Sequence, residues 1–61
     1  MSNDERQVYE DALRELRAER LQIENGGQVG RTGADGVWQD LKVARLADIN
    51  GRIAEYEAIL A

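Results

Sequence analysis

The chain has 61 residues, 43% of them hydrophobic and 33% charged, so residues 1–61 can form only one small domain. A core of that size supplies no more than roughly 3 to 5 kcal/mol of stability. The sequence contains no Cys and no His, which excludes disulfides, zinc sites built on Cys or His, and catalysis by thiol or imidazole groups. Oligomerisation is the remaining way to stabilise so small a core.

Eight basic and twelve acidic residues give a net charge of -4. Proteins that bind phosphates or anionic lipids usually carry an excess of Lys and Arg, so we expect no direct nucleic-acid or membrane partner. No apolar run approaches the ~20 residues of a membrane span. The segment 1–6 lacks the basic and apolar stretches of a signal peptide. We therefore expect the protein to be cytoplasmic or to assemble in the cytoplasm.

The first predicted element is an amphipathic helix over residues 4–24, because apolar residues recur there every three or four positions. Ser2, Asn3 and Asp4 can each cap its start. Asn25-Gly26-Gly27 should end it, since Asn and Gly adopt the left-handed conformation that closes helices. The apolar stripe contains Tyr9, Ala12, Leu13, Leu16 and Ile23, and is interrupted by Arg20.

Residues 26–36 hold five of the six glycines, and Asp35-Gly36 indicates a turn, so residues 28–43 are predicted to form a β-hairpin. A two-residue loop would place Val29 and Leu41 on opposite faces of the hairpin. A three-residue loop, with Gly36 in the left-handed conformation, pairs Val29 with Leu41 and puts both on the core face. Trp38 then lies on the other face, beside Asp40 and Lys42.

A second amphipathic helix is predicted over residues 45–60, although Gly51 within it should cost roughly 1 kcal/mol. The fold class is therefore α+β, with two helices packed together and a two-stranded hairpin between them. The predicted core consists of Tyr9, Leu13, Leu16, Ile23, Val29, Leu41, Val43, Leu46, Ile49, Ile53, Tyr56 and Leu60.

The second helix also carries a family resemblance. Its segment Ala-Asp-Ile-Asn-Gly-Arg-Ile-Ala-Glu-Tyr-Glu, residues 47–57, resembles the (Ser/Ala)-Asp-Leu-x-x-x-Ile-Ala-Glu-Leu-Glu segment of the gpW-like head-tail joining proteins of tailed bacteriophages. Ile49 and Tyr56 stand where leucines are usual. An ungapped alignment also places Asp35-Gly36 on the hairpin turn of that family, so the resemblance covers nearly the whole chain.

The resemblance implies a structural protein of the virion, located at the head-tail interface and in the host cytoplasm during assembly. After DNA packaging, its copies would bind the portal protein as a homo-oligomeric ring, expected to be twelvefold to match the portal. The ring would then dock the next connector, stopper or tail-completion protein. The resemblance implies no enzymatic activity and no cofactor.

The candidate interface residues are Arg20, Arg31, Trp38, Asp40 and Lys42. Tryptophan is enriched in interface hot spots, so Trp38 could anchor a partner, or it could instead cover the edge of the core. Arg20 could reach a carboxylate of a partner, or could cover apolar surface with its stem.

Two other functions compete with this interpretation. One is a small regulatory or antitoxin-like interaction module, with a disordered loop over residues 25–36 and a helix that begins near Val37. The other is an enzyme, which would need convergent carboxylates. Asp40, Asp48, Glu55 and Glu57 are explained as well by a solvated helix face, and the glycine spacing matches no phosphate-binding loop.

Overall fold

A computed structural model describes residues 2–61 as two helices separated by a β-hairpin. Helix α1 spans Asn3–Glu24 and helix α2 spans Lys42–Leu60. Between them, strand β1 spans Gly30–Thr32 and strand β2 spans Trp38–Asp40. The helices pack against each other, and the two strands pair antiparallel. The predicted α+β fold is confirmed.

Both ends of α1 are stabilised by local hydrogen bonds. The Ser2 hydroxyl accepts a hydrogen bond of 3.2 Å from the backbone N–H of Glu5, which caps the first turn. At the other end, the N–H of Gly27 donates to the carbonyl of Gln22 at 2.9 Å, and Gly26 has a φ of 99°. This is a Schellman motif, in which a left-handed glycine satisfies the last helical carbonyls. The predicted helix end is therefore confirmed.

The hairpin has the predicted register. Arg31 lies opposite Gln39, and one step outward the carbonyl of Val29 accepts a hydrogen bond of 2.8 Å from the N–H of Leu41. Gly36 has a φ of 79°, as the three-residue loop requires. Extended backbone at residues 38–40 also contradicts the alternative of a disordered loop followed by a helix from residue 37.

Helix α2 begins three residues earlier than predicted. The carboxylate of Asp40 accepts a hydrogen bond of 2.8 Å from the N–H of Lys42, and the carbonyl of Leu41 accepts one from the N–H of Arg45. These bonds end the strand at Asp40 and start the helix. The predicted extension of the strand to Val43 is therefore wrong. Leu41 is 39% exposed and Val43 is 83% exposed, so neither belongs to the core.

The core lies between the two helices, and Ile49, at its centre, has no exposed surface. The ring centroids of Tyr9 and Tyr56 lie 5.5 Å apart in a tilted arrangement, which extends the apolar contact between the helices. The predicted core is thus confirmed except for Leu41 and Val43, and for Tyr9, which is half-buried and lies outside the core cluster. Its buried members are Leu13, Ile23, Ile49 and Ile53, and those packed around them are Leu16, Val29, Leu46, Tyr56 and Leu60.

The molecule is elongated, with extents of 48 × 23 × 16 Å. Its radius of gyration is 14.7 Å, whereas a compact domain of this length has about 10.5 Å. The strands make most of their contacts with each other rather than with the helices. The hairpin is therefore an arm beside the helix pair and contributes little to the core.

Gly51 provides a test of the packing of α2. In the described part of the chain, no atom outside the local helix backbone lies within 4 Å of the position that a Cβ would occupy on this residue. We expect Gly51→Ala to stabilise the protein by about 1 kcal/mol, which raises Tm by roughly 4 to 8 °C in a domain of this size. Thermal unfolding followed by circular dichroism measures this change. Gly36→Ala adds the same methyl group at a positive φ and should lower Tm. A lower Tm for Gly51→Ala would show that α2 packs differently.

Candidate protein-interaction surface

The structure brings three of the five predicted interface residues together. Trp38, Asp40 and Lys42 line one cleft, at the base of the hairpin and the start of α2. We call this surface the hairpin patch. The rest of the cleft is lined by Gly26, Gln28 and Val29.

Gly30 allows the Trp38 side chain to lie on the ribbon. A Cβ on Gly30 would collide with the backbone carbonyl oxygen of Gln39 and would lie 2.8 Å from Cζ2 and 2.9 Å from Cε2 of the indole, so no larger residue fits without a shift of the β2 backbone. One side of the indole is therefore packed on the β1 backbone. The side chain remains 51% exposed, so the ring is held in place and still accessible to a partner. This geometry differs from the alternative in which Trp38 covers the edge of the core.

The two charged residues of the hairpin patch differ in their roles. Asp40 is exposed, and its carboxylate is already used to cap the N–H of Lys42. Among residues 2–61, no ion pair involves the Lys42 ammonium group. Lys42 therefore supplies an available positive charge beside the indole.

The other two predicted residues lie elsewhere. Arg31 is opposite Gln39 and so, by strand alternation, is on the ribbon face other than that of Trp38. Arg20 is half-buried and donates a hydrogen bond of 3.1 Å from its guanidinium to the side-chain oxygen of Asn50. Arg20 thus contributes to the contact between the helices, and the five residues do not form one surface.

A charged cluster that the sequence analysis did not identify links the helices on one side. The guanidinium of Arg45 donates two hydrogen bonds to the Glu19 carboxylate, at 2.8 and 2.9 Å. Arg45 also contacts Asp48 at 3.0 Å, and Asp48 accepts from Arg52. The spacing of residues 45, 48 and 52 along one helix is a recognisable signal. The contact with Glu19 depends on how the two helices pack.

We expect Arg45→Met to lower the free energy of unfolding by about 1 kcal/mol, at the upper end for exposed ion pairs, because the bidentate bond to Glu19 links two elements. Denaturant unfolding measures this loss. Arg14→Met is a matched control, since the one ion pair of Arg14 within residues 2–61 is with Asp11 of its own helix. The loss at Arg45 should shrink at high salt. An equal effect at Arg14 would contradict an inter-helix role.

A second surface feature lies on α2, away from the hairpin patch. It is an open depression of about 630 Å³, and Gly51 is among the residues that line it. Arg52 lies at the margin of this depression. Its hydrogen bond to Asp48 and the negative charge of Asp48 raise the pKa of Arg52 above its ordinary value, and Tyr56 makes a smaller contribution. We call this feature the α2 depression. It is lined by Ala47, Asp48, Gly51, Arg52, Glu55 and Tyr56.

Within the described range 2–61, no acidic side chains cluster in a way that could hold a metal ion. No helix in this range combines the length and the apolar character needed to cross a bilayer. No protein-family model, curated protein or solved structure shows a significant match to the chain.

Proposed function

We propose that this chain is a structural subunit of a tailed-phage virion that joins the head to the tail. The observation that carries the proposal is the order helix, Asp-Gly hairpin and helix in 61 residues, together with the residues of α2 that resemble the gpW-like proteins. In this role the chain binds and positions other proteins and catalyses no reaction. Its partners are the portal protein, further copies of itself in a ring, and the next connector or stopper protein.

The amount of exposed surface supports an assembly role. The chain exposes 4640 Å², whereas a compact monomer of 6.8 kDa exposes about 3950 Å². The surplus of about 700 Å² approaches the ~800 Å² that each partner contributes to a standard interface. An elongated subunit with this surplus gains stability when neighbouring proteins cover it.

The position of the exposed apolar residues supports the hairpin as the contact region. Among residues 2–61, four of the seven large apolar residues that remain exposed lie between residues 37 and 43, and this segment includes the hairpin patch. By strand alternation Trp38 lies on one face of the ribbon, whereas Val37 and Leu41 lie on the other. The segment therefore offers apolar contacts on both faces, with Trp38 as the expected anchor. The members of the cluster are Val37, Trp38, Leu41 and Val43.

Deletion of the gene from the phage genome that encodes it tests the proposal. We expect DNA-filled heads without tails, because the missing subunit acts after packaging and before tail attachment. Addition of the purified chain to these heads, together with free tails, should restore infectious particles. Electron microscopy and plaque counts measure both results. Normal tailed particles from the deletion strain, or heads that the purified chain does not rescue, would overturn the proposal.

A further inference from the structure

The structure gives no internal reason for Gly51. Glycine within a helix costs about 1 kcal/mol relative to alanine, and such a residue is usually explained by a close neighbour that leaves no room for a Cβ. At Gly51, no other side chain or element of residues 2–61 lies within 4 Å of that position. The space above the α2 depression is therefore unused within one chain, while Trp38 lines a different cleft.

We infer that the α2 depression receives Trp38 of the next copy of this chain, so that the hairpin patch of one subunit docks on α2 of its neighbour. This inference rests on the proposed function and names the contact between copies in the ring. The depression, of about 630 Å³, has room for an indole ring. Arg52 and Tyr56 at its margin offer a guanidinium and an aromatic ring, both of which interact favourably with indole.

Charge complementarity favours a second copy as the occupant. Lys42 lies beside Trp38 in the hairpin patch, and Glu55 lies beside Gly51 in the α2 depression. Among the residues that the structure describes, no ion pair involves either side chain. Docking of the indole would bring this Lys and Glu from two copies to the same contact, where opposite charges fix the orientation.

The area indicates a weak contact between copies. A chain in a ring makes two such contacts, so its surplus surface of about 700 Å² amounts to about 350 Å² per contact, less than the ~800 Å² that one partner contributes to a standard interface. Because the two surfaces differ, each chain has one of each, and the contact is head-to-tail. Such a contact generates a ring when the rotation closes. The modest area keeps the free protein monomeric when dilute and leaves a small number of strong side-chain contacts to determine the affinity.

Two variants and their mixture test the contact without any phage component. At millimolar concentration, amide chemical shifts of the parent protein should change with concentration at residues 37–42 and 47–56. Trp38→Ala removes the indole and Gly51→Leu fills the depression. Each variant alone should associate at least about thirtyfold more weakly than the parent protein, as expected for loss of a hot-spot contact. Among residues 2–61, no other side chain or element lies within 4 Å of a Cβ placed at Gly51.

An equimolar mixture of the two variants should recover the association. The Trp38→Ala chain retains the depression and the Gly51→Leu chain retains the indole, so one productive contact is possible. With one component isotope-labelled at a time, shifts should change at residues 47–56 of the former and 37–42 of the latter. Ala58→Leu, which adds the same side chain on α2 outside the depression, should behave as the parent. A mixture without recovery would overturn the inference.

The charge pair provides an independent test if Gly51→Leu perturbs folding. Lys42→Glu and Glu55→Lys should each weaken association, and their mixture should restore it. A parent protein whose shifts do not depend on concentration up to its solubility limit would also overturn the inference. Rescue of tailless heads by the parent protein remains a separate measurement. If the parent protein rescues tailless heads but does not self-associate, the contact between copies is wrong and the joining function stands. If it self-associates but does not rescue the heads, the joining function is wrong and the contact stands.

Discussion

Replacement of Ile49 by Ala should unfold the isolated chain. Ile49 has no exposed surface and lies where the two helices meet. An Ile→Ala change at such a site costs about 2 to 5 kcal/mol, through lost transfer free energy and the cavity left behind. The whole domain has roughly 3 to 5 kcal/mol available, so little or no folded protein should remain. Far-ultraviolet circular dichroism at room temperature should show loss of most of the helical signal.

Val43→Ala is the matched control for Ile49→Ala, because Val43 is also a β-branched residue of α2 but lies at the surface. Its free energy of unfolding should change by no more than about 0.5 kcal/mol. Ile53→Ala should resemble Ile49→Ala, and the half-buried Leu16 should give a loss near the lower end of the range. Helical signal retained by Ile49→Ala would show that the helices do not pack through this residue.

Replacement of Trp38 by Ala should have the largest effect on attachment to heads and a small effect on folding. The indole contacts the β1 backbone at Gly30 and is outside the core. Its removal should therefore leave Tm nearly unchanged. A Trp at the centre of an interface contributes about 2 kcal/mol or more, so attachment should weaken about thirtyfold. Co-sedimentation of the variant with DNA-filled heads, titrated over a range of concentrations, measures the change.

Val8→Ala is the control for the attachment experiment. Val8 is as exposed as Trp38 but lies near the start of α1, outside the hairpin patch. It should attach as the parent does, because loss of an exposed apolar group elsewhere does not affect the contact. Full attachment of Trp38→Ala would remove this residue from the interface. Unfolding of the free variant would instead place Trp38 among the residues that stabilise the fold.

Most of the fold could be predicted because it depends on local signals. The caps of α1 and the Gly36 turn are each encoded within a few residues, and period-two alternation fixed the pairing of Val29 with Leu41. The error at Leu41 and Val43 has a physical cause. Asp40 is followed by alternating apolar residues that fit a strand, but its carboxylate caps the N–H of Lys42 and starts a helix there. An aspartate two residues before a helix was the missed signal.

The candidate site was only partly predictable. Alternation places Trp38 and Asp40 on one face of the ribbon, and the same rule applied to Arg31 would have placed it on the other. The depression at Gly51 is lined by residues of α2 alone. The hydrogen bonds between Glu19 and Arg45 instead depend on the packing angle of the two helices and on side-chain conformations. Residue spacing along one helix carries no information about these inter-helix distances.

The separation of the hairpin from the helix pair affects how the protein can evolve. Stability resides in the residues between α1 and α2, whereas the exposed aromatic and its neighbouring charge belong to the arm and the helix start. Substitutions at distant sites act independently on stability. Segment 30–42, apart from Gly30, Gly36 and Asp40, which the fold requires, can therefore accumulate changes that adapt it to a different partner while the helix pair keeps its folding free energy. Recognition and folding are thus open to separate selection in this small chain.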